Sequence, residues 1–354
     1  MSPAKLGIGI LSLAHGHVSS YAHMIRDFDD AKMVAFWDHD AARGQSAAER
    51  FAVDFEPHLE DVLARKDVDC LVIGSETNRH VDLAVAALEA GKPVLLQKPM
   101  ATTLEGCDRI IDAVNRTGQW FSMAFQMRCD PQNIAMRNLL REGALGKVGF
   151  VRRRHCIGVL FSQDFVEGPT KWHISAEANV GMFFDDATHA LDWLYWTMGA
   201  KPVSVMAEID NVLTDIAPDD TGTAIFRFAD GTFATITNTS VCRAGENTVE
   251  IYGDQGVLIQ NHGDGPSAAI KPPHPIGVKL YQQDKAELGW QDLGLPMVNG
   301  QGDRIAGVAR PFIDALKSGV PMCTAEEGRV SVEMVLACYR SAATGQRITF
   351  PFER

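Results

Sequence analysis

Long apolar runs, cysteine pairs and basic clusters are all missing from this chain. No apolar stretch approaches the roughly 20 residues that a membrane-spanning helix needs. The N-terminal residues Met1-Ser2-Pro3-Ala4-Lys5 run into a strand-like segment without the apolar core of a secretory leader. The seven cysteines, at 70, 107, 129, 156, 242, 323 and 338, are scattered and form no CxxC pair. They fit reduced thiols in core segments of a cytoplasmic protein. Positive charge is in deficit: Lys+Arg 33 against Asp+Glu 45 gives a net charge of −12. That balance argues against nucleic acid or an anionic membrane as a partner. The densest basic group, Arg152-Arg153-Arg154, is expected to straddle the two faces of a strand. Internal repeats, low-complexity tracts and disordered linkers are not found either.

What is present describes two domains. With 354 residues, 46% of them apolar and 22% charged, the chain is long enough for two sizeable cores. Strand and helix signals alternate over residues 1–124, with strands expected at Lys5–Leu11, Met33–Trp37, Val68–Ile73, Pro93–Gln97 and Trp120–Phe125. Helices fall between them, among them Ala41–Phe51, Leu59–Ala64, His80–Glu89 and Leu104–Val114. This alternation implies a parallel, doubly wound α/β sheet with right-handed crossovers. Residues 125–354 change style. After a helix at Asn133–Arg141, strands are expected at Gly149–His155, Val203–Ile209, Gly222–Phe228, Thr232–Thr239, Thr248–Tyr252 and Gly256–Gln260, with a helix at Phe183–Trp196. Two helices, 304–318 and 326–341, close the chain. This is the pattern of an α+β domain with a large, mostly antiparallel open sheet, one face of which offers a natural dimer surface.

Three stretches carry chemistry. Pro93-Val94-Leu95-Leu96-Gln97-Lys98-Pro99 places Lys98 at the C-terminal tip of a buried strand, where ligands of open α/β sheets bind. A solvated lysine after a core strand is the plain alternative. The turn Ser12-Leu13-Ala14-His15-Gly16-His17 stands where a glycine-rich phosphate loop belongs. Its small residues would still let the backbone approach a pyrophosphate. Asp38, at the tip of the second strand, is placed to accept hydrogen bonds from ribose hydroxyls and to repel a 2′-phosphate. No arginine follows it before Arg43. The reading is therefore NAD in preference to NADP, with NADP still open. The Asp38-His39-Asp40 triplet is not expected to hold a metal, because adjacent side chains point apart. Further cofactor contacts are expected at the next strand ends: Ser75, Asn78, His80, Gln97 and Lys98. Finally, Asp185, His189 and Asp192 fall at i, i+4 and i+7 of one helix and so on one face. A carboxylate one turn from a histidine orients it for acid/base work, although a structural, hydrogen-bonded histidine has the same signature.

These stretches, with the residues around them, resemble the Gfo/Idh/MocA family of NAD(P)-dependent oxidoreductases, which includes glucose-fructose oxidoreductase and inositol 2-dehydrogenase. The segments Ala87–Pro99, Gly181–Asp192 and Tyr339–Gln346 are similar to that family's AleaGkxVxxEKP, GxxxDxGxHxxD and YxSaxtGx signatures, in the same order. The resemblance implies a Rossmann domain followed by an α/β domain whose open sheet makes homodimers or homotetramers. It implies a cytoplasmic enzyme moving a hydride between NAD(P) and a secondary alcohol of a sugar, inositol or related polyol. It makes Lys98, Asp185 and His189 the catalytic group and the peptide before Pro99 cis. Arg128, Trp172 and His173 are second-rank candidates to join Asp185 and His189 in holding the substrate, with a structural role the favoured alternative for each. The chain departs from the pattern at Gln97 (a glutamate in the family), at Ala187 and at Ser12/Ala14 (glycines), and at Glu76, near a family proline. These changes keep open a slow or inactive cofactor-binding regulator and NAD-assisted chemistry on a glycoside.

Overall fold

The computed structural model describes residues 5–243, 247–260, 277–297 and 301–352; residues 1–4, which carry most of the reading of the N-terminus, fall outside them. The first elements are β1 (Leu6–Leu11), α1 (Gly16–Arg26), β2 (Ala31–Trp37), α2 (Ala41–Phe51), β3 (Asp54–Phe55) and α3 (Leu59–Ala64). β4 (Cys70–Ile73), α4 (His80–Glu89), β5 (Val94–Leu96), α5 (Leu104–Thr117) and β6 (Phe121–Met123) follow. Next come α6 (Pro131–Arg141), β7 (Val148–Cys156), the short α7 (Gln163–Val166) and α8 (Ala176–Asn179), and the long α9 (Met182–Met198). Strands β8 (Ser204–Asp210), β9 (Thr221–Arg227), β10 (Phe233–Thr239), β11 (Thr248–Gly253), β12 (Gly256–Gln260), β13 (Val278–Gln282) and β14 (Gln291–Asp292) lie beyond it. The last elements are α10 (Gln301–Ala306), α11 (Ala309–Ser318), α12 (Ala325–Thr344) and β15 (Ile348–Thr349). The chain forms two compact units: residues 1–126, 177–179 and 305–332 make the first, and 127–176, 180–304 and 333–354 the second.

In the first unit six strands run parallel in the order β3-β2-β1-β4-β5-β6. Cys70-Leu71-Val72-Ile73 and Val94-Leu95-Leu96 are buried along their whole length, as strands covered on both faces must be. The helices that cover them are fixed at their ends by local chemistry. Asp40 caps α2 by accepting from Arg43 N–H (3.1 Å), and Thr103 caps α5 by accepting from Gly106 N–H (3.1 Å). β1 has β2 on one side and β4 on the other, and at this switch point the chain ends of an open sheet leave a crevice.

The second unit holds nine strands in the order β14-β13-β12-β11-β7-β10-β9-β8-β15. Its described pairs are antiparallel except β7 with β10, so the expected mostly antiparallel sheet carries one parallel seam. α9 packs against β7, β9 and β10. The register puts Met206, Ile225, Thr235, Arg152, Glu250, Ile259 and Lys279 on one line across the sheet. Arg152 pairs with Glu250 on that face (3.3 Å). Arg153 points the other way, fully buried, with its guanidinium 4.9 Å from the Trp193 ring centroid. Burial lowers its pKa to about 10, with the Asp130 charge opposing, so it remains a cation. The arginine triplet does straddle the strand.

Several boundaries differ from the sequence reading. The helix expected at 304–318 is two, α10 and α11. β13, β14 and β15 are short or alternate weakly, and their pairing depends on distant partners. Of the closing residues, 305–332 group with the first unit and 333–354 with the second.

Candidate active site

Lys98 follows β5 directly and is 2% exposed. The Lys98–Pro99 peptide is cis. The lysine backbone is held from both sides. Gln97 Oε1 accepts from Lys98 N–H (3.2 Å), while Gln97 Nε2 donates to the Tyr21 hydroxyl of α1 (2.6 Å). An amide can donate to that oxygen and accept from the backbone at once, which a carboxylate cannot do. Gln97 is therefore built into the strand tip, where its amide does structural work. On the other side, the His80 ring lies between two carbonyls: Nδ1 is 2.7 Å from Pro99 O and Nε2 3.2 Å from Ser75 O. A neutral ring has one N–H, and we assign it to the shorter contact. Complete burial drives the His80 pKa down to about 4 even though both carbonyls favour the cation. His80 and Ser75, expected at the cofactor, thus meet in a brace behind Pro99, and Asn78 is exposed to solvent.

The β1–α1 turn makes up for its missing glycines. Ser12 adopts φ +70°, the left-handed conformation for which glycine is usually chosen. Its Oγ accepts from Ala14 N–H (3.1 Å) and from Arg43 Nη2 (3.2 Å). His15 N–H donates to Gly74 O (2.8 Å), tying the turn to the end of β4. His15 Nδ1 accepts from His17 N–H (3.4 Å), and the two rings meet edge to face. Gly16 opens α1, and a Cβ built on it meets no atom within 4 Å. Open space before a helix N-terminus fits a phosphate group. NAD fits this unit: the turn and helix end would hold the pyrophosphate, and the tip of β2 the adenosine ribose.

At the ribose end Asp38 has a charged partner of its own. Arg43, expected to be out of range, folds back from the first turn of α2 and donates Nε to Asp38 Oδ2 and Nη2 to Asp38 Oδ1, both at 2.7 Å. The same carboxylate accepts from Leu13 N–H (3.1 Å) and Asp40 N–H (3.0 Å). Sequence distance misled here, because a helix start brings residue i+5 back over its cap. Asp38 is a shared acceptor with a guanidinium bound in plane.

In the second unit α9 carries Asp185, His189 and Asp192. Its N-terminus is fixed from far away. Phe183 N–H donates to Asp219 Oδ1 (2.6 Å), and Tyr339 donates to Asp219 Oδ2 (2.6 Å) while accepting from Phe184 N–H (3.0 Å). Burial raises the Asp219 pKa, against the pull of these hydrogen bonds. A Cβ on Gly181 would lie 1.9 Å from Asp219 Oδ2 and 2.7 Å from the Tyr339 hydroxyl, so glycine is required by contact. Asp219 had no signal in the sequence. Asp185 Oδ2 and His173 Nδ1 are 2.9 Å apart, and Trp172 stacks on His173 with ring centroids 3.7 Å apart. His173, expected at the substrate, meets Asp185 here, and Trp172 stacks behind His173. Arg128 also has a carboxylate partner. It forks onto Asp192, Nη2 to Oδ1 at 2.8 Å and Nε to Oδ2 at 3.0 Å, with both side chains buried. Asp192 is therefore the charge partner of Arg128.

Comparison with known proteins agrees with this architecture. Residues 7–125 match the oxidoreductase family with an NAD-binding Rossmann fold, and residues 134–259 match the GFO/IDH/MocA C-terminal domain. The chain belongs to the Gfo/Idh/MocA family and is an NAD-dependent oxidoreductase. It is 24% identical to inositol 2-dehydrogenase of Rhizobium meliloti, over 97% of both chains. It is 25% identical to 1,5-anhydro-D-fructose reductase of Ensifer adhaerens, over 81% of both. Among solved structures, levoglucosan dehydrogenase in complex with NADH and levoglucosan superposes with a TM-score of 0.82 at 21% identity, covering 98% of this chain and all of that one.

Two outcomes follow. The neutral, buried His80 stabilises the fold fully above pH 6.5, and that contribution is lost as pH falls toward 4, because the unfolded chain takes up the proton first. The loss reaches about 3 kcal/mol, and urea unfolding of His80→Gln should show a correspondingly flatter pH dependence than the native chain. Gly181→Ala should lower stability by roughly 1–3 kcal/mol. Gly16→Ala, with open space at its Cβ, should stay within about 0.5 kcal/mol of the native protein in the same assay.

Proposed function

We propose that this enzyme transfers a hydride between NAD and a secondary alcohol or ketone of a sugar or cyclic polyol, with Lys98, Asp185 and His189 as its catalytic group. The observation that carries the reading is Lys98, buried at the C-terminal tip of β5 in a Rossmann-ordered sheet and braced by Gln97 and His80. The named relatives act on inositol and 1,5-anhydro-D-fructose, which are cyclic and rich in hydroxyls, and this supports the substrate class. Bound nicotinamide supplies the hydride acceptor or donor. The chain itself moves one proton and steadies one oxygen. In the oxidation direction His189 takes the hydroxyl proton as the carbon gives up its hydride, and Lys98 stabilises the developing alkoxide. Asp185, fixed by His173, orients the same hydroxyl. A panel of inositols, anhydrosugars and aldoses, followed by NADH absorbance, identifies the substrate. With it, Lys98→Ala and His189→Ala should each lower kcat/KM by about 10²–10⁴-fold. NADH affinity in His189→Ala should stay near native. Variants that turn over at the native rate would show that these residues are not the acid/base group.

The same reading includes self-association through the outer face of the nine-stranded sheet. Met206, Ile225 and Phe233 are more than a third exposed there, beside the Arg152–Glu250 pair. Apolar strand faces of this kind are covered in stable proteins. Ile225→Arg should shift the sedimentation coefficient to that of a smaller species, and an unchanged value would place the interface elsewhere.

A further inference from the structure

The loop after β4 brings a second carboxylate to the adenosine end of the first unit. Glu76 Oε1 lies 3.4 Å from Arg43 Nη2 and 3.4 Å from His39 Nε2, while Arg43 is held in plane by Asp38. Glu76 Oε2 is buried and accepts no hydrogen bond among the described residues; its nearest cation, the half-exposed Arg79, stands 3.7 Å away. A buried acceptor with no donor is costly and calls for a hydrogen-bonding partner. Asp40 adds a third carboxylate nearby, at the α2 cap, where it accepts from Arg43 N–H. The Arg43 guanidinium thus faces several negative charges.

We propose that Glu76 is the residue that selects NAD over NADP. The inference rests on the reading of this chain as NAD-dependent and assigns the selection to a position outside β2. A ribose 2′-hydroxyl has a proton to give to a carboxylate. A 2′-phosphate has none at neutral pH and brings charge of the same sign. Glu76 also engages Arg43, so that the guanidinium that could otherwise pair with a phosphate is already bound on two sides. Burial opposes the charged form of Glu76, but the hydrogen bond to His39 and the charge of Arg43 outweigh it and hold the carboxyl ionised, with its pKa at about 2.

The test is a titration of NADH and NADPH, each followed by tryptophan fluorescence, on the purified full chain and on Glu76→Gln, Glu76→Ala and Glu76→Asp. The native protein should bind NADH more tightly. In Glu76→Gln and Glu76→Ala the ratio of the two Kd values should fall by at least about tenfold, largely through tighter NADPH binding. Glu76→Asp, which keeps the charge, should retain most of the preference. An unchanged ratio in the Gln and Ala variants overturns the role of Glu76 while leaving the NAD reading intact. A native protein that prefers NADPH overturns this proposal together with the preference for NAD, and leaves the hydride chemistry standing. One that binds neither nucleotide removes the cofactor reading, and this proposal with it.

Discussion

Polar groups buried away from water set the terms in both units. Asp38, Gln97, Lys98, Asp185 and Asp192 each expose 3% or less of their surface. Groups of this kind are tolerated only when other groups satisfy them. The supporting cast follows from that requirement: Tyr21 for Gln97, Arg43 for Asp38, His173 for Asp185 and Arg128 for Asp192. Removing one member of such a pair leaves its partner buried and unsatisfied, which costs more than the contact itself contributes. The supports therefore matter as much to the fold as to the chemistry.

The chain has also moved fixing power away from the motif it serves. A helix usually caps itself, with a side chain just before its first turn. α9 begins with Gly181, which has none to offer, and relies on Asp219 and Tyr339, from a loop and a helix remote in sequence. That arrangement sets the rotation of α9, and with it the direction of Asp185 and His189. It also explains why a glycine stands at the head of the motif: the capping carboxylate fills the place of a Cβ.

Where sequence alone was informative, the information was local. α2, α3 and α4 span the residues that their apolar periods indicate, and the alternation of strands and helices was enough to give the parallel sheet. Lys98 was legible because a buried strand ending in Lys-Pro has few explanations. What escaped was non-local. Nothing near Asp219 announces a cap for α9, nor does the run around Arg128 point to Asp192. Arg43 was misjudged because separation along the chain was taken for separation in space. Trp172 and His173 have the side chains expected of a substrate subsite, and only the packing shows the stack between them and the bond from His173 to Asp185.

The cluster around Arg43 is assembled from three separate pieces of chain: Ser12 after β1, Asp38 after β2 and Glu76 after β4. These loops meet only when the three strands lie side by side in their native order. A nucleotide engaging that cluster therefore binds a property of the sheet as a whole, and its binding energy is spread over strand pairings far from the ligand. Cofactor occupancy and the cohesion of the first unit are two expressions of one equilibrium, so a cell rich in NAD also holds more of this sheet intact.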